Sequence, residues 1–543
     1  MSSTAAGTLV SGLQAFGVDR VFCVPGESYL PVLDALLDTA IDVVTCRHEG
    51  SAAFMALADA ELTKRAGVCL VSRAPGAANA LIGVQAAHEN ATPLVLLVGD
   101  VSHQVADREA FQYFDASLMF GNVSKAVWQL SNPASVGELI SRAFRLAESG
   151  TPGPVVLTLP QDILASTHPC QPPLRRITVA PPEPSQAQMS TVHSALRQAE
   201  RPLLIAGSLL DRPQARVLTR FVAEHHHLPV LPANKHPHLM PSAHPYLGGR
   251  LHHAVPAAQR ALYEQADLIL AVGTRLGWVV TDAYTFPAAP GVQQRLVHVY
   301  PDASRIAARY QPDPGLAVDP VAFLAKLAEL PAVQAPHSPW HKALRDLEAD
   351  TATWRSATAP DGVLTGAVAD AVNDLTGGDL TAVIDSGAFT GWLLRYLRFT
   401  ERGRLLGLTS SSMGFAVGAG IAAELRAPSA MPTIVFAGDG GFLMNGSELA
   451  TAAARNARVI FIVLNDNSYG SIRRRQELAF PGRPVATDLS NPDFVRLGQA
   501  FGLLGLSADR PVDVRPALKK ALQHQGPALI EIRTSRSQPV PSP

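Results

Sequence analysis

Cysteine and net charge are both scarce in this sequence of 543 residues. No two cysteines form a C-x-x-C pair, which argues against a disulfide framework and indicates small buried residues in a reducing compartment. The four are Cys23, Cys46, Cys69 and Cys170. The 45 basic and 46 acidic side chains give a net charge of −1 without charged blocks, which argues against nucleic-acid or membrane-surface partners. Because no signal peptide or long apolar window occurs, we expect a cytoplasmic protein without a membrane span.

Hydrophobic residues, by contrast, are plentiful: they make up 47% of the chain, enough for several cores. Two Pro-rich stretches, at about residues 170–185 and 331–339, divide the sequence. We therefore expect an N-terminal domain over residues 1–170, a middle domain over 185–335 and a C-terminal domain over 355–543. Short apolar runs alternate with helical patterns in each, which predicts an α/β fold of three doubly wound domains with mainly parallel sheets.

The stretch from residue 433 to residue 470 places two carboxylates at the ends of neighbouring strands. Thr433–Ala437 predicts a buried strand that ends in the turn Gly438-Asp439-Gly440, and Val459–Leu464 predicts the next strand, followed by Asp466. The carboxyl ends of parallel strands face one crevice, so Asp439 and Asp466 should lie close together. A hard divalent cation such as Mg²⁺ would relieve their repulsion, and it would suit a diphosphate ligand.

Two helices are predicted near the expected site. One runs from about residue 446 to 455, with Asn445 and Glu448 as a capping box. The other covers Leu81–His88, after a loop rich in Pro, Gly and Asn. The first of these completes a strand–helix–strand unit with a right-handed crossover.

The segments GDG and NDNSYG, at this spacing, resemble the thiamin-diphosphate motif of the pyruvate decarboxylase and acetohydroxyacid synthase family. The resemblance implies that Asp439, Asp466 and the main-chain carbonyl of Ser468 bind Mg²⁺. Gly438, Gly440 and Tyr469 belong to the same motif and are expected to contact the cofactor. Asp466 stands where the family often has Asn, which keeps an oxygen ligand and adds a negative charge.

The segment RHEGSAAFMA resembles the family's R-H-E-x-x-A-A-x-x-A stretch. The resemblance implies that Glu49 contacts N1′ of the cofactor's pyrimidine ring. A carboxylate there stabilises the imino tautomer, whose 4′-nitrogen can remove the C2 proton of the thiazolium.

Further segments of the N-terminal domain are similar to the family: PGESYLPVLDAL, SRAPGAAN and AFQYFD. By resemblance to acetohydroxyacid synthases, Phe111 would give the reacting carbon an apolar wall, and Gln112 would offer it hydrogen-bond donors and acceptors. Ordinary packing is the alternative for both residues. Lys125 resembles a lysine of that subgroup, and a surface lysine is the alternative reading.

In the C-terminal domain, SSSMGF resembles the segment that lies under the cofactor. The resemblance implies that the carbonyl of Ser411 and the amide of Met413 bind the aminopyrimidine, while the Met413 side chain bends the cofactor. A core methionine is the alternative. The loop from Asp385 resembles the family's D-x-G segment, which places Gly387 at the diphosphate, although Asp385 could be structural.

Three departures from relatives bear on the reaction. Benzoylformate decarboxylases carry a histidine where this chain has Ser72, and benzaldehyde lyase carries one where it has Ser28. The histidine pair of pyruvate decarboxylases is not found near the end of the first domain. Without an imidazole to protonate the enamine, carbon–carbon bond formation is favoured over release of an aldehyde.

The middle domain gives weaker signals. Gly273–Gly277 follows a predicted strand but lacks G-x-G-x-x-G, so a plain βα turn is favoured and FAD binding is left undecided. The runs His225–His227 and His252-His253 have no spaced acidic or cysteine partners, and we interpret them as solvated or core histidines.

Together these motifs predict an enzyme that uses thiamin diphosphate and Mg²⁺, resembling acetolactate synthase large subunits. It would decarboxylate a pyruvate-like 2-oxo acid and ligate the enamine to a second carbonyl compound. A simple 2-oxo acid decarboxylase, a 2-hydroxyketone lyase and a non-catalytic cofactor-binding homologue are the alternatives. Since the family's cofactor lies between two subunits, the resemblance also implies a homodimer or homotetramer.

Overall fold

The computed structural model describes residues 2–106, 108–169, 175–177, 179–287, 294–334, 339–428, 431–538 and 540–541. Three parallel sheets with helices packed against them form three domains, which confirms the predicted fold class. The predicted domain boundaries fall partly on residues outside these ranges, as does Cys170, and the boundaries stay predictions. Among the described residues, no helix combines the length and apolarity needed to span a membrane.

The N-terminal domain contains a six-stranded parallel sheet of order β3-β2-β4-β5-β7-β6 and a short antiparallel pair, β1 with β8. Its strands are β1 (Ser2–Thr4), β2 (Arg20–Cys23), β3 (Asp42–Thr45), β4 (Gly67–Ser72), β5 (Leu94–Asp100), β6 (Ala126–Gln129), β7 (Pro154–Pro160) and β8 (Thr167–Pro169). Its helices are α1 (Ala5–Ala15), α2 (Leu30–Leu37), α3 (Glu49–Thr63), α4 (Arg73–Asn90), α5 (Ala116–Phe120), α6 (Val136–Glu148) and α7 (Gln161–Ala165).

The middle domain is built on a five-stranded parallel sheet of order β10-β9-β11-β12-β13. The strands are β9 (Pro202–Ala206), β10 (Val230–Pro232), β11 (Leu268–Val272), β12 (Arg295–Val299) and β13 (Gly315–Leu316). The helices in and after this domain are α8 (Gln186–Gln198), α9 (Pro213–His225), α10 (Ala257–Tyr263), α11 (Pro320–Ala328) and α12 (Trp340–Thr351). Within the described part of 273–294, no helix follows β11, so the favoured βα turn at Gly273–Gly277 is wrong.

The C-terminal domain contains a second six-stranded parallel sheet, of order β15-β14-β16-β17-β19-β18. Its strands are β14 (Thr381–Ile384), β15 (Arg404–Gly407), β16 (Thr433–Gly438), β17 (Val459–Asn465), β18 (Leu504–Ala508) and β19 (Ala528–Arg533). Its helices are α13 (Thr365–Thr376), α14 (Thr390–Tyr396), α15 (Phe415–Arg426), α16 (Asp439–Met444), α17 (Leu449–Ala454), α18 (Gly470–Ala479), α19 (Phe494–Ala500) and α20 (Pro511–Gln523).

The first and last sheets have the same topology. Counted along the chain within each sheet, the strands lie in the order second, first, third, fourth, sixth, fifth in both. The helix between the second and third strands is α3 in one domain and α15 in the other. These equivalent helices pack against each other, with the rings of Phe54 and Phe415 edge to face at 5.6 Å. A continuous apolar cluster therefore joins the two domains.

Polar contacts reinforce the junction between these two domains. The guanidinium of Arg426, at the end of α15, donates to both oxygens of Asp59 at 2.7 and 2.8 Å and to both oxygens of Asp19 at 2.7 and 2.8 Å. The Glu448 side chain is fully buried. Its Oε1 accepts hydrogen bonds from the main-chain N–H groups of Arg47 and His48, at 2.8 and 3.1 Å. Paired charges at such a junction hold the domains in one relative orientation.

Two local predictions are wrong. The helix expected over Leu81–His88 is α4, which already begins at Arg73, because Pro75 lies in the first turn, where its missing N–H costs no hydrogen bond. The capping box is absent: the Asn445 side chain donates to the carbonyl of Gly414 at 2.8 Å, and Glu448 binds the N-terminal domain. The short 3₁₀ turn Gly446–Glu448 therefore precedes a short α17.

Candidate functional site

Asp439 and Asp466 follow two neighbouring strands at the carboxyl edge of the C-terminal sheet. Strand β16 ends at Gly438 and lies parallel to β17, with Gly438 opposite Leu464. Asp439 is the first residue of α16 and is 2% exposed, and Asp466 comes directly after β17. The structure thus brings the two carboxylates to the same edge, as the strand pattern predicted.

Oxygen atoms converge beside these carboxylates on the amide nitrogen of Asn491. This Nδ2 atom donates to Asp439 Oδ2 at 2.6 Å, and to Asn465 Oδ1 and Asn467 Oδ1 at 3.1 Å each. Carboxylate and amide oxygens gathered in this way are the ligand type that Mg²⁺ prefers. Sequence reasoning missed Asn491, because it reaches the cluster from a loop 24 or more residues away and carries no motif.

The electrostatics of the site favour a cation. Burial, and then the negative charge of Asp466, raise the pKa of Asp439 to about 6. Burial also raises the pKa of Asp466. A divalent ion bound between them would neutralise both carboxylates, so the residues present fit the group that the motif implies.

Ser468 contacts Asp466, and Tyr469 packs against Gly440, the residue after Asp439. The amide and hydroxyl groups of Ser468 donate to Asp466 Oδ1 at 2.9 and 3.0 Å, which fixes the loop after β17. Gly440 faces the ring of Tyr469 so closely that an added Cβ would lie 2.5 Å from it. Only glycine therefore fits at position 440 in this arrangement.

The segment before α15 lies next to this edge. Ser411 is exposed and has a left-handed φ of +57°, and the Met413 side chain is half-buried beside Gly441. Asp385, after β14, accepts the N–H of Gly414 at 3.0 Å. Ser411, Met413 and the Asp385 loop are thus gathered at one end of the sheet.

A buried lysine that sequence reasoning missed approaches the Asp385 loop from the middle domain. Lys235 is 4% exposed, and burial lowers its pKa to about 8 although the charge of Asp385 acts in the opposite direction. Burial raises the pKa of Asp385 itself to about 6. Gly387 follows in the same loop, and an added Cβ there would lie 2.4 Å from the ring of Phe389.

In the N-terminal domain, Glu49 is the first residue of α3 and is half-buried. Its Oε2 accepts from Asn79 Nδ2 at 2.9 Å, and an added Cβ on Gly76 would lie 3.5 Å from its Oε1. Both partners belong to the SRAPGAAN segment, which is the first part of α4. One oxygen is therefore held by the protein, while the other faces Gly76.

The other candidate residues of the N-terminal domain, Phe111, Gln112 and Lys125, differ in exposure and in the contacts that they make. Phe111 is 75% exposed, and Gln112 is half-buried with a φ of +63° and a carbonyl that accepts from the amide of Ala74. Lys125 is structural: its Nζ donates to the carbonyls of Leu146, Ser149 and Thr151, near the end of α6. It lies away from the other candidates.

Within one chain the two halves of the candidate site are not in hydrogen-bond contact. Among the residues that the structure describes, neither Glu49 nor Gln112 makes a hydrogen bond with Asp439, Asp466 or Met413. The sheet edges that carry the two halves of the candidate site thus belong to different domains, which are joined through α3 and α15.

Another group of possible metal ligands occurs in the described residues, at Asp211, His236 and His238. Here Lys64 donates to Asp211 Oδ2 at 2.8 Å and His238 lies 3.1 Å from Asp211 Oδ1. Both carboxylate oxygens are therefore occupied, one by an ammonium group that would repel a metal ion. His225 and His226 bind main-chain carbonyls of residues 330 and 327, as expected for core histidines.

Comparison with known families identifies the class of protein. Models of the thiamine pyrophosphate enzymes match along the chain: the N-terminal TPP binding domain at residues 3–119, the central domain at 189–327 and the C-terminal TPP binding domain at 385–532. The chain belongs to the thiamine pyrophosphate (thiamin diphosphate) enzyme family.

Its relatives include acetolactate synthases. The catabolic acetolactate synthase of Raoultella terrigena is 30% identical and aligns with 97% of this chain and 94% of its own length. The isozyme 2 large subunit of Escherichia coli K12 is also 30% identical, over 96% and 94%. The large subunit of Parasynechococcus marenigrum is 29% identical, over 98% and 88%.

Proposed function

We propose that this chain is an acetolactate-synthase-like carboligase that uses thiamin diphosphate and Mg²⁺. It would remove CO₂ from a pyruvate-like 2-oxo acid and join the remaining fragment to a second carbonyl compound. The observation that supports this most directly is the pair Asp439 and Asp466. Their oxygens, with those around Asn491, form a cluster suited to binding a cation at the edge of a cofactor-binding domain. The length over which the acetolactate synthases align supports the carboligase assignment.

In this proposal Asp439, Asp466 and the carbonyl of Ser468 hold Mg²⁺, and the metal holds the diphosphate group. Gly438, Gly440 and Gly387 would contact that group, Tyr469 packs against Gly440, and Ser411 and Met413 would contact the pyrimidine ring. When bound, thiamin diphosphate supplies an electron sink for the electron pair that departing CO₂ leaves behind. The protein contributes position, charge and a site from which water is excluded.

Glu49 would act as the proton-holding group. Asn79 binds its Oε2, which leaves Oε1 to share a proton with the ring nitrogen N1′. Gln112 would donate a hydrogen bond to the substrate oxygen, and Phe111 would cover the reacting carbon with apolar surface. An intact carboxylate at position 49 argues against a non-catalytic homologue, which has no need of one.

We further propose that the complete site is shared by two chains, in a homodimer or homotetramer. The resemblance to a family whose cofactor lies between two subunits supports this arrangement, and within one chain Glu49 and Asp439 make no hydrogen bond with each other. Cys23, Cys46 and Cys69 are free and buried, which is typical of a reducing compartment such as the cytoplasm. The proposal requires no FAD.

The test is to incubate the purified protein with thiamin diphosphate, Mg²⁺ and pyruvate, and to identify the carbon product by NMR. The proposal predicts acetolactate. Acetaldehyde alone would instead establish the simple decarboxylase. Cleavage of a 2-hydroxyketone without any 2-oxo acid turnover would establish the lyase.

A further inference from the structure

A cleft of about 600 Å³ opens beside the candidate metal site, between the C-terminal and middle domains. Ser468 and Gly470 line one end of it. Gly470 lies close to the metal-site carboxylate, since an added Cβ would be 2.7 Å from Asp466 Oδ2. The cleft is therefore continuous with the edge at which we place the cofactor, and its volume suits a small organic ligand.

Four arginines line this cleft. Arg473 and Arg474 come from α18, Arg395 from α14, and Arg536 from the segment after β19. Arg475 lies near enough to help lower the pKa of His253, a further lining residue whose pKa burial lowers to about 4. His253 is consequently neutral at pH 7, and the positive charge comes from the guanidinium groups.

Acidic side chains balance only part of this charge. Asp488 pairs with Arg473 and Arg536, and Glu477 lines the cleft while its Oε2 accepts from the amide of Gly482. Arg474 and Arg475 are exposed and have no ion pair within the described residues. The cleft thus carries an excess of positive charge in a chain whose net charge is −1.

The chemistry of the reaction decides which anion suits such a cleft. In the proposed function the 2-oxo acid loses its own carboxylate as CO₂. A guanidinium that held this group would stabilise the ground state and oppose its departure. The arginines are better matched to a carboxylate that persists in the product, which is either a distal carboxylate of the donor or the carboxylate of a 2-oxo acid acceptor.

We propose that this cleft binds the distal carboxylate of a 2-oxo dicarboxylic acid, such as 2-oxoglutarate, as the preferred donor substrate. This inference rests on the proposed decarboxylation and carboligation at the adjacent site. Arg474 is the principal ligand, because it lines the cleft, is exposed and has no carboxylate partner among the described residues.

The experiment compares 2-oxoglutarate with 2-oxopentanoate, which has the same five carbons and no distal carboxylate. CO₂ release should show a higher kcat/KM for 2-oxoglutarate, and Arg474→Gln should reduce that preference by about tenfold or more, mainly through KM. Raising NaCl from about 0.05 to about 0.5 M should weaken turnover of the dicarboxylate alone. The matched control is Arg496→Gln, on the exposed side of α19, which should keep the preference.

Other results would overturn the inference. Equal kcat/KM values for the two donor acids would do so. A kcat/KM that depends on a carboxylate of the acceptor, and not on the distal carboxylate of the donor, would also do so. If Arg474→Gln weakens thiamin diphosphate binding and leaves substrate preference unchanged, the arginines serve the cofactor's diphosphate instead.

A binding measurement separates this inference from the proposed function. Should no 2-oxo acid be turned over, the proposed function fails, and calorimetric titration with unreactive glutarate and pentanoate still tests the cleft. Binding of glutarate alone, lost in Arg474→Gln, supports the anion site. Equal binding of both acids, or of neither, refutes it.

Discussion

The side-chain hydroxyl groups of Ser28 and Ser72 lie 2.9 Å apart at the carboxyl edge of the N-terminal sheet. Ser28 is fully buried, and Ser72 precedes α4. These are the two positions at which benzaldehyde lyase and benzoylformate decarboxylases carry histidine. Because two hydroxyl groups satisfy each other here, neither position offers a group that titrates near pH 7.

Replacing Ser72 with histidine should therefore change the product. An imidazole at this half-buried position adds a general acid, so the ratio of aldehyde to ligated product should rise by about tenfold or more. NMR of the pyruvate reaction measures this ratio. Ser72→Asn, of similar size but unable to titrate, should leave the ratio near that of the wild type, and an equal shift in both variants would contradict the explanation.

Glu49→Gln should retain cofactor binding and lose at least about a hundredfold in kcat, because glutamine cannot exchange a proton with the ring nitrogen. Cofactor affinity is measured by tryptophan fluorescence and kcat by CO₂ release. A variant with unchanged kcat would remove Glu49 from the mechanism.

Sharing of the site between chains can be tested by mixing two inactive variants. In a hybrid of Glu49→Gln and Asp439→Ala chains, one site would carry both changes and the other would carry neither. Co-expression should then restore roughly a quarter of the wild-type activity, given random pairing. Activity that stays at the level of the separate variants would indicate that each chain builds its own site.

Asp466→Asn should still bind Mg²⁺ and thiamin diphosphate, because asparagine retains an oxygen ligand and is the residue that the family motif often has at this position. Asp466→Ala removes that oxygen and should weaken affinity by about a hundredfold. Both affinities can be obtained by titrating the metal-free protein after treatment with EDTA. Similar affinities for the two variants would exclude Asp466 as a ligand.

Arg426→Gln should lower the free energy of unfolding by about 3 kcal/mol, because it leaves the buried carboxylate of Asp59 without its bidentate partner. Denaturant melts of the protein without cofactor measure this change. The control is Arg510→Gln, which breaks a similar bidentate pair with Asp513 at an exposed site and should leave the melting midpoint unchanged.

Asp385 should make stability depend on pH. Burial raises its pKa from 3.8 to about 6, so the folded state binds the proton more tightly than the unfolded state does. Its contribution to stability is complete below about pH 4 and is lost as the pH rises through 6, a change of about 3 kcal/mol. In Asp385→Asn this change is absent, so the stability of the variant relative to wild type should increase by that amount from pH 4 to 7. A difference independent of pH would contradict this assignment.

The sequence predicted the fold and the C-terminal edge of the site well, because both depend on local signals. Apolar β-branched runs such as Thr433–Ala437 identify buried parallel strands, and the residue that follows each strand necessarily lies at the carboxyl edge. Asp439 and Asp466 could be placed side by side for this reason alone.

Contacts between distant segments could not be predicted in the same way. Glu448 has the spacing of a capping residue, yet it binds two amides some 400 residues away, which satisfy its carboxylate more completely inside the core. Asn491, Lys235 and Asn79 reach the site from loops, from another domain or from a helix that was expected to be a loop. Such positions depend on tertiary packing, which no local pattern encodes.

Glu448 also bears on how this enzyme can vary. It binds the main-chain N–H groups of Arg47 and His48, so replacing either side chain leaves both hydrogen bonds available. Inserting or deleting one residue in this short segment would move both amides, and Glu49 with them. The two hydrogen bonds to Glu448 therefore constrain the length of the segment between β3 and α3 more than they constrain the side chains of Arg47 and His48.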